Sequence, residues 1–434
     1  MTLPSLSVGS VAHASSTRRR AVIASIAGNV MEWYDFAVYG YFASVIGREF
    51  FPAKDATSSL IAAFGVFAAG FLMRPIGSLV FGHIGDKLGR KLSLTASVLV
   101  MAVPTFLIGL LPTYRAVGLA APLLLVLLRL MQGLSVGGEY TTSGVFLVEQ
   151  SAPERRGFLG GFIPLGSTLG VLSGSAVSAA ITTFLDRASV NSWGWRLAFL
   201  LGLVFGAAGF AIRRQLADDR SAPGGMPPAD APIRDAFRTQ WRTILQVVGL
   251  NAAGAVAYYM CFVYVTTYLR QIDFIAASKA LDINTIALLV LAVTIVPMAM
   301  LSDRLGRKPV LLAATGGLFV LALPLFWMLH HPETTIVLLG QIGFALLNAA
   351  FWGPSTATMV ELVPSGTRCT VMSVGYNIGL AILGGATPMA AVYTIRLSGL
   401  DLSPAALVMA TAAISFLVIV NLTESNRRRS WFSR

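Results

Sequence analysis

The chain has 434 residues, of which 55% are hydrophobic and only 12% charged, with a mean hydropathy of +0.72. A soluble domain of this size carries roughly a quarter charged residues, so the composition excludes a water-soluble enzyme. The net charge of +12 comes from basic residues beside apolar runs, not from a nucleic-acid-binding face. Cys261 and Cys369 stand singly in apolar segments and suggest neither a disulfide framework nor a metal site.

Apolar runs long enough to cross a hydrocarbon core of about 30 Å recur from end to end. In chain order the expected spans are 21–46, 58–81, 92–111, 118–149, 158–184, 194–213, 243–269, 282–301, 309–329, 335–360, 370–396 and 403–422. This is an all-α integral membrane protein with twelve transmembrane helices. The stretch "RSAPGGMPPADAPIRD" is rich in Pro, Gly and charge and can only be a linker. The expected organisation is therefore a tail over 1–20, a six-helix bundle over 21–213, a linker over 214–242, a second bundle over 243–422 and a tail over 423–434. With the N-terminus inside, 22 Lys and Arg residues fall on the cytoplasmic side and 8 outside, while Arg74 and Arg129 lie within spans. The bias places both termini, and the linker, in the cytoplasm. The Arg-rich, then apolar opening lacks a short apolar segment ending in a cleavage site, so no cleaved signal is expected.

The two halves are related. "GHIGDKLGRK" at 82–91 and "AMLSDRLGRK" at 299–308 share D-x-L-G-R-K, with Asp86 and Asp303 217 positions apart. Glu149 with Arg156, and Glu361 with Arg368, repeat one spacing of seven at an offset of 212. Parallel duplicated halves with a site between them are a transporter architecture.

On these residues the chain resembles the major facilitator superfamily. Gly82, Asp86, Gly89, Arg90 and Lys91 match its loop signature, and Arg129, Gln132 and Gly133 in "RLMQGLSVGGE" match its span-4 motif. Together with "GNVMEWYDFAVYGYF", "QGLSVGGEY" and "WGWRLAF", they make it similar to the metabolite–proton symporter family. That family includes citrate, alpha-ketoglutarate and shikimate permeases and a proline/betaine transporter. The resemblance implies two pseudo-symmetric six-helix bundles that rock about a midplane site. Ala299 departs from the glycine expected at the head of the second loop.

Glu32 and Asp35 lie three apart on span 1, on one helix face with Tyr39. At 1.5 Å per residue they sit roughly 16 and 21 Å in, near the bilayer midplane, where carboxylates need partners or a function. They are the expected proton-coupling pair. Arg129 is a candidate partner or anion clamp. Arg74 and Glu139 lie at similar depth and are expected to pair with each other or to face substrate. In the second half Asn251, Tyr258, Tyr259, Tyr264, Gln341, Asn348, Trp352, Tyr376 and Asn377, with Tyr39 of span 1, are expected to orient a small polar ligand. Asp86, Arg90, Glu149, Arg156, Asp303, Arg307, Glu361 and Arg368 are expected to form gating ion pairs, the Glu–Arg ones within each repeat. Gly166, Gly170 and Gly174 mark a close-packing face.

No nucleotide-binding loop, metal cluster or nucleophile arrangement occurs, and the four histidines are scattered. No enzymatic activity and no cofactor is expected; a proton gradient supplies the energy. The expected function is symport of protons with a small organic anion, such as a di- or tricarboxylate, by a monomer in the cell (inner) membrane. Symport of a zwitterion such as proline or betaine is the alternative, and proton antiport ranks below it.

Overall fold

The computed structural model describes the backbone of residue 26 and of residues 29–88, 90–137, 139–214, 237–364 and 367–422. Side chains are described for these except 82–95, 139, 205, 209 and 212–214. The tails, most of the expected linker, and the side chains of Asp86, Arg90 and Glu139 thus lie outside the described residues.

In hydrocarbon every backbone N–H and C=O must be bonded internally, and a helix does this within one segment. The described residues form twelve long helical segments. The first half holds residues 29–50 (α1), Ala56–Leu72 continuing as Arg74–Leu88 (α2), Arg90–Leu110 (α3), Ala120–Glu149 (α4), Pro153–Phe184 (α5) and Trp195–Arg214 (α6). The second holds Trp241–Gln271 (α7), Ala277–Leu305 (α8), Arg307–Leu329 (α9), Thr334–Leu362 (α10), Arg368–Ser398 (α11) and Pro404–Asn421 (α12). Their ends fall within a few residues of the apolar runs, except that the start of α1 lies outside the described residues. Among the described residues nine of the helices are long and apolar enough to cross a membrane by composition alone.

Local chemistry sets the ends. The Asp55 carboxylate caps α2 by accepting from the Ser58 backbone N–H and hydroxyl, both at 2.8 Å. Gly306, at φ 101°, makes the turn between α8 and α9, a conformation L side chains rarely adopt. Lys308 Nζ donates to the carbonyls of Val420 (2.6 Å) and Leu422 (3.1 Å) and so satisfies the end of α12.

Glycine decides how closely the helices approach. A Cβ built on Gly133 of α4 would lie 1.9 Å from the Gly70 carbonyl oxygen of α2, and one on Gly77 of α2 would lie 1.8 Å from that of Leu134. The same holds between α5 and α1, where a Cβ on Gly170 would meet the Val30 carbonyl at 2.4 Å. The stripe Gly166, Gly170, Gly174 is thus a packing face, as its spacing suggests. The two halves meet where α5 packs on α8 and α10, and where α11 packs on α2 and α4.

Gly133→Ala is expected to destabilise the protein by about 1–3 kcal/mol, because backbone cannot yield as a side chain does. Gly65→Ala, whose Cβ would make only an ordinary 3.8 Å contact with Met389, is the matched neutral control. Thermal unfolding in detergent checks the pair.

Candidate functional site

Two buried ion pairs stand one helical turn apart on α1. Glu32 is paired with Arg74 of α2. Asp35 Oδ2 is paired with Arg129 Nη1 of α4 at 3.2 Å. All four residues are buried, the two arginines almost completely. The Arg129 Nη1 also donates to Gln132 Oε1 at 2.8 Å, and Gln132 Nε2 donates to the Thr105 hydroxyl at 2.9 Å. A polar chain therefore runs from α1 through α4 to α3. Aromatic faces complete each cation's surroundings. The Arg129 guanidinium lies 4.3 Å from the Tyr39 ring centroid and 4.8 Å from that of Phe36. The Arg74 guanidinium lies 4.6 Å from Phe71, 5.2 Å from Phe36 and 5.5 Å from Trp33. Ring quadrupoles attract such cations.

Arg74 is paired with Glu32; its expected pairing with Glu139 lies outside the described residues, since the Glu139 side chain is not among them. The backbones of α2 and α4 touch here, since a Cβ on Gly137 would fall 2.0 Å from the Arg74 carbonyl. The Arg74 side chain turns away to α1. Depth along two helices does not fix which faces meet. Arg74 Nε and Nη1 make no hydrogen bond among the described residues.

Beside the Arg74 pair a cavity lies between the halves. Trp33 and Tyr140 contribute from the first half, and Tyr258, Tyr259, Trp352 and Tyr376 from the second. Pro164, Ser167, Thr168 and Leu380 complete the lining. Trp33 meets Tyr258 edge to face at 5.8 Å and lies nearly parallel to Tyr259 at 6.1 Å. Tyr258 meets Trp352 at 6.3 Å. Tyr140 and Tyr376 stack across the two halves at 4.4 Å with 6° between planes. The indole N–H groups of Trp33 and Trp352 and the Tyr259 hydroxyl are buried without a hydrogen-bond partner among the described residues. Buried donors are ordinarily bonded, so three such groups around one cavity suit a polar ligand. Two π-helical turns, Met260–Tyr264 in α7 and Leu380–Gly384 in α11, flank the cavity. Such turns concentrate at functional sites.

Of the expected ligand-orienting residues, Tyr258, Tyr259, Trp352 and Tyr376 line this cavity. The others are used elsewhere. Asn251 donates to the Val247 carbonyl at 2.8 Å and Asn348 to that of Phe344 at 2.9 Å, each four residues back in its own helix. Asn377 donates across the halves to the Gly137 carbonyl at 2.5 Å, and the Tyr39 hydroxyl to that of Ala63 at 3.0 Å. Trp33, Tyr140, Ser167 and Thr168 escaped the reading of the sequence. The only cue was that Trp33 and Tyr140 each follow an in-span glutamate.

At the end bearing the arginine-rich loops, the expected Glu–Arg pairs exchange partners. Arg368 pairs with Glu149 at 2.5 Å and Arg156 with Glu361 at 3.8 Å, so each pair joins one half to the other. The helices that carry them face each other across the interface, whereas the residue seven positions on in the same repeat lies around a turn. Arg307 joins Asp303 at 2.8 Å and Glu361 at 3.5 Å. The Asp303 carboxylate also accepts from the backbone N–H groups of Gly157 (2.9 Å) and Phe158 (2.8 Å) in α5. No group of three or more candidate metal ligands occurs among the described residues.

The chain matches the family model described as "Sugar (and other) transporter" over residues 20–218 and 225–425. It is 34% identical over 423 residues to the proline/betaine transporter of Escherichia coli (strain K12), covering 94% of this chain and 84% of that one. It is 34% identical over 420 residues to the glycine betaine/proline/ectoine/pipecolic acid transporter OusA of Dickeya dadantii (strain 3937), covering 94% and 83%. Among solved structures, the D-xylose-proton symporter superposes with a TM-score of 0.74 at 16% identity, covering 94% of this chain and 98% of that one. The chain's fold is that of the major facilitator superfamily proton:xylose symporter. The protein is a membrane transporter, not an enzyme: the chain belongs to the sugar (and other) transporter family.

Proposed function

We propose that this transporter carries a zwitterion bearing a quaternary or secondary ammonium, of the betaine or proline kind, inward with protons. The observation that carries the reading is the aromatic cavity set directly beside a buried arginine. Aromatic faces attract an organic cation and exclude a free anion, while the unspent donors of Arg74 suit a carboxylate. A zwitterion has both ends. The names of the relatives favour the same class. The organic-anion reading shares the arginine but leaves the aromatic box without a task.

Proton coupling rests on Glu32 and Asp35. When a substrate carboxylate takes Arg74, Glu32 loses that counter-ion in a low-dielectric site, which favours the neutral, protonated carboxyl. Substrate and proton then enter together. Asp35, one turn further along α1 and tied to Arg129, is the second proton-bearing candidate. The cross-half ion pairs would shut one side of the site. The excess of Lys and Arg in those loops assigns that side to the cytoplasm, with both termini and the 214–242 linker there, in a bacterial-type inner membrane.

Charge movement separates the two substrate classes. A zwitterion with one proton carries +1 inward, and a potential contributes about 2.3 kcal/mol per charge per 100 mV. In proteoliposomes, betaine uptake is expected to respond to an inside-negative potential alone and to resist competition by citrate or succinate. Electroneutral uptake of a dicarboxylate, with betaine inert, would return the reading to an organic anion.

The aromatic box is tested at Trp352. Trp352→Leu removes one ring of the box and is expected to raise the KM for betaine about 3- to 30-fold, since one cation–π contact is worth roughly 0.5–2 kcal/mol. Trp352→Phe keeps a ring and should lie between. Equal KM values for the two variants would reduce Trp352 to packing.

Glu32→Gln mimics the protonated carboxyl. Substrate exchange between the two sides is expected to survive while accumulation against a gradient is lost. Normal accumulation in this variant would remove Glu32 from the coupling.

A further inference from the structure

At the end of the bundle away from the arginine loops an exposed contact joins Arg396 of α11 to Asp55 (4.0 Å) and Ser58 (3.0 Å) of the first half, and beside it lies a buried network of neutral groups. Tyr41 follows Trp33 by eight residues on α1 and so lies about 12 Å further toward that end. Its hydroxyl donates to the Phe262 carbonyl at 2.8 Å and accepts from Asn284 Nδ2 at 2.9 Å. Asn284 Nδ2 also lies 3.1 Å from the Ser175 hydroxyl, which is 2.8 Å from that of Thr285. Gln341 Nε2 donates to the Cys261 carbonyl and lies 3.4 Å from Asn284 Oδ1. Tyr41 and Ser175 come from the first half; the rest come from α7, α8 and α10 of the second. Tyr41, Ser175, Asn284 and Gln341 are buried.

Asn284 is the hub of this network. Its amide reaches both first-half residues at once, and its side-chain oxygen reaches Gln341. The two carbonyls that the network uses, those of Cys261 and Phe262, belong to the π-helical turn Met260–Tyr264. A π turn offsets the helical hydrogen-bond ladder and leaves carbonyls open to outside donors. The same turn begins directly after Tyr258 and Tyr259 of the cavity. Close approach of the halves here is backed by Gly40, where a Cβ would meet the Val263 side chain at 2.4 Å.

We infer that Asn284, with Tyr41 and Ser175, is the latch that closes the site on the face opposite the arginine loops. The carrier then has two gates, one built of ion pairs and one whose buried part is a neutral hydrogen-bonded network, with the cavity between them. The inference holds for any substrate, because it depends only on the two halves separating at this end.

The test uses a cysteine at a cavity wall, Ser167→Cys, with Cys261→Ser and Cys369→Ser removing the native thiols. A membrane-impermeant maleimide is applied to one face of the membrane at a time. Asn284→Ala is expected to raise the labelling rate of this cysteine about tenfold from the face opposite the arginine loops, and not from the other, because it strips partners from two buried hydroxyls. Tyr41→Phe, which removes a single hydroxyl and keeps the ring, should raise it less and in the same direction. Glu149→Gln, at the ionic end, should not raise labelling from this face. Unchanged labelling in Tyr41→Phe and Ser175→Ala proteins that still exchange substrate would overturn the latch. So would a rise confined to the arginine-loop face.

Discussion

Everything about this bundle turns on placing two arginines and two carboxylates inside a membrane. Neither cation can be left alone there, and separating one from its partner costs about 3–5 kcal/mol for a buried pair. The sequence must therefore bring α1, α2 and α4 close enough for direct contact. Glycines at 70, 77, 133 and 137 let α2 and α4 touch through their backbones, which fixes where Arg74 and Arg129 emerge. The aromatic residues of α1 and α2 then fill the space around both guanidiniums. Gln132 accepts from Arg129 and donates to Thr105 on the α4 side, while Arg129 Nε and Nη2 make no hydrogen bond among the described residues. Span 4's R-x-x-Q-G pattern reads in this light as one unit: a charge, its hydrogen-bond partner one turn away, and the small residue that admits the neighbouring helix.

The halves divide the chemistry. Charge inside the bundle belongs to the first half, and most of the aromatic cavity wall to the second. A ligand that touches both must satisfy both, which ties occupancy of the cavity to the relative position of the halves. The two ends differ as well. The arginine-loop end is joined by partly exposed ion pairs, which contribute about 0–1 kcal/mol each. The other end is joined by buried neutral hydrogen bonds and by an exposed contact of Arg396 with Asp55 and Ser58. Neither is strong enough to lock the protein, as a carrier that must open each side in turn requires.

Much of this was legible in the sequence. The apolar runs gave the helices to within a few residues, because a span must be long and greasy whatever its neighbours are. Glu32, Asp35, Arg74 and Arg129 stood out because ionisable residues at that depth are rare. Their partners were less legible. Residue spacing gives depth along a helix, but facing direction comes from packing, so depth alone did not point Arg74 to Glu32. The Glu–Arg pairs swapped halves for a related reason: a duplicated sequence suggests pairing within each copy, and pseudo-symmetry allows the equivalent pairing between copies. Asn251 and Asn348 looked like ligand-orienting amides, but a helix offers an amide a carbonyl four residues back. Trp33 and Tyr140 were hidden because an aromatic residue in an apolar span reads as packing until a cavity is seen beside it.

In the proposed cycle the Glu32–Arg74 pair also accounts for tight coupling. Two arrangements leave Arg74 and every ionised carboxylate beside the cavity paired, with the substrate's ammonium resting on the aromatic rings. In one, Arg74 holds Glu32 and the carrier is empty. In the other, Arg74 holds the substrate carboxylate and Glu32 carries a proton. A carrier with substrate and no proton has two carboxylates competing for one guanidinium, and a carrier with a proton and no substrate has an unanswered guanidinium. Either would have to close around an uncompensated buried charge, at several kcal/mol, which would lower its crossing rate by a factor of a hundred or more, at roughly tenfold per 1.4 kcal/mol. A leak of substrate or of protons alone is thereby suppressed by electrostatics. The aromatic box adds to this without entering the charge balance, because it holds the ammonium end, whose charge is the same in every loaded state. Selectivity and coupling can then be set by different residues around one cavity: Tyr258, Tyr259, Trp352 and Tyr376 for the cation, Arg74 and Glu32 for the exchange of one anion for another.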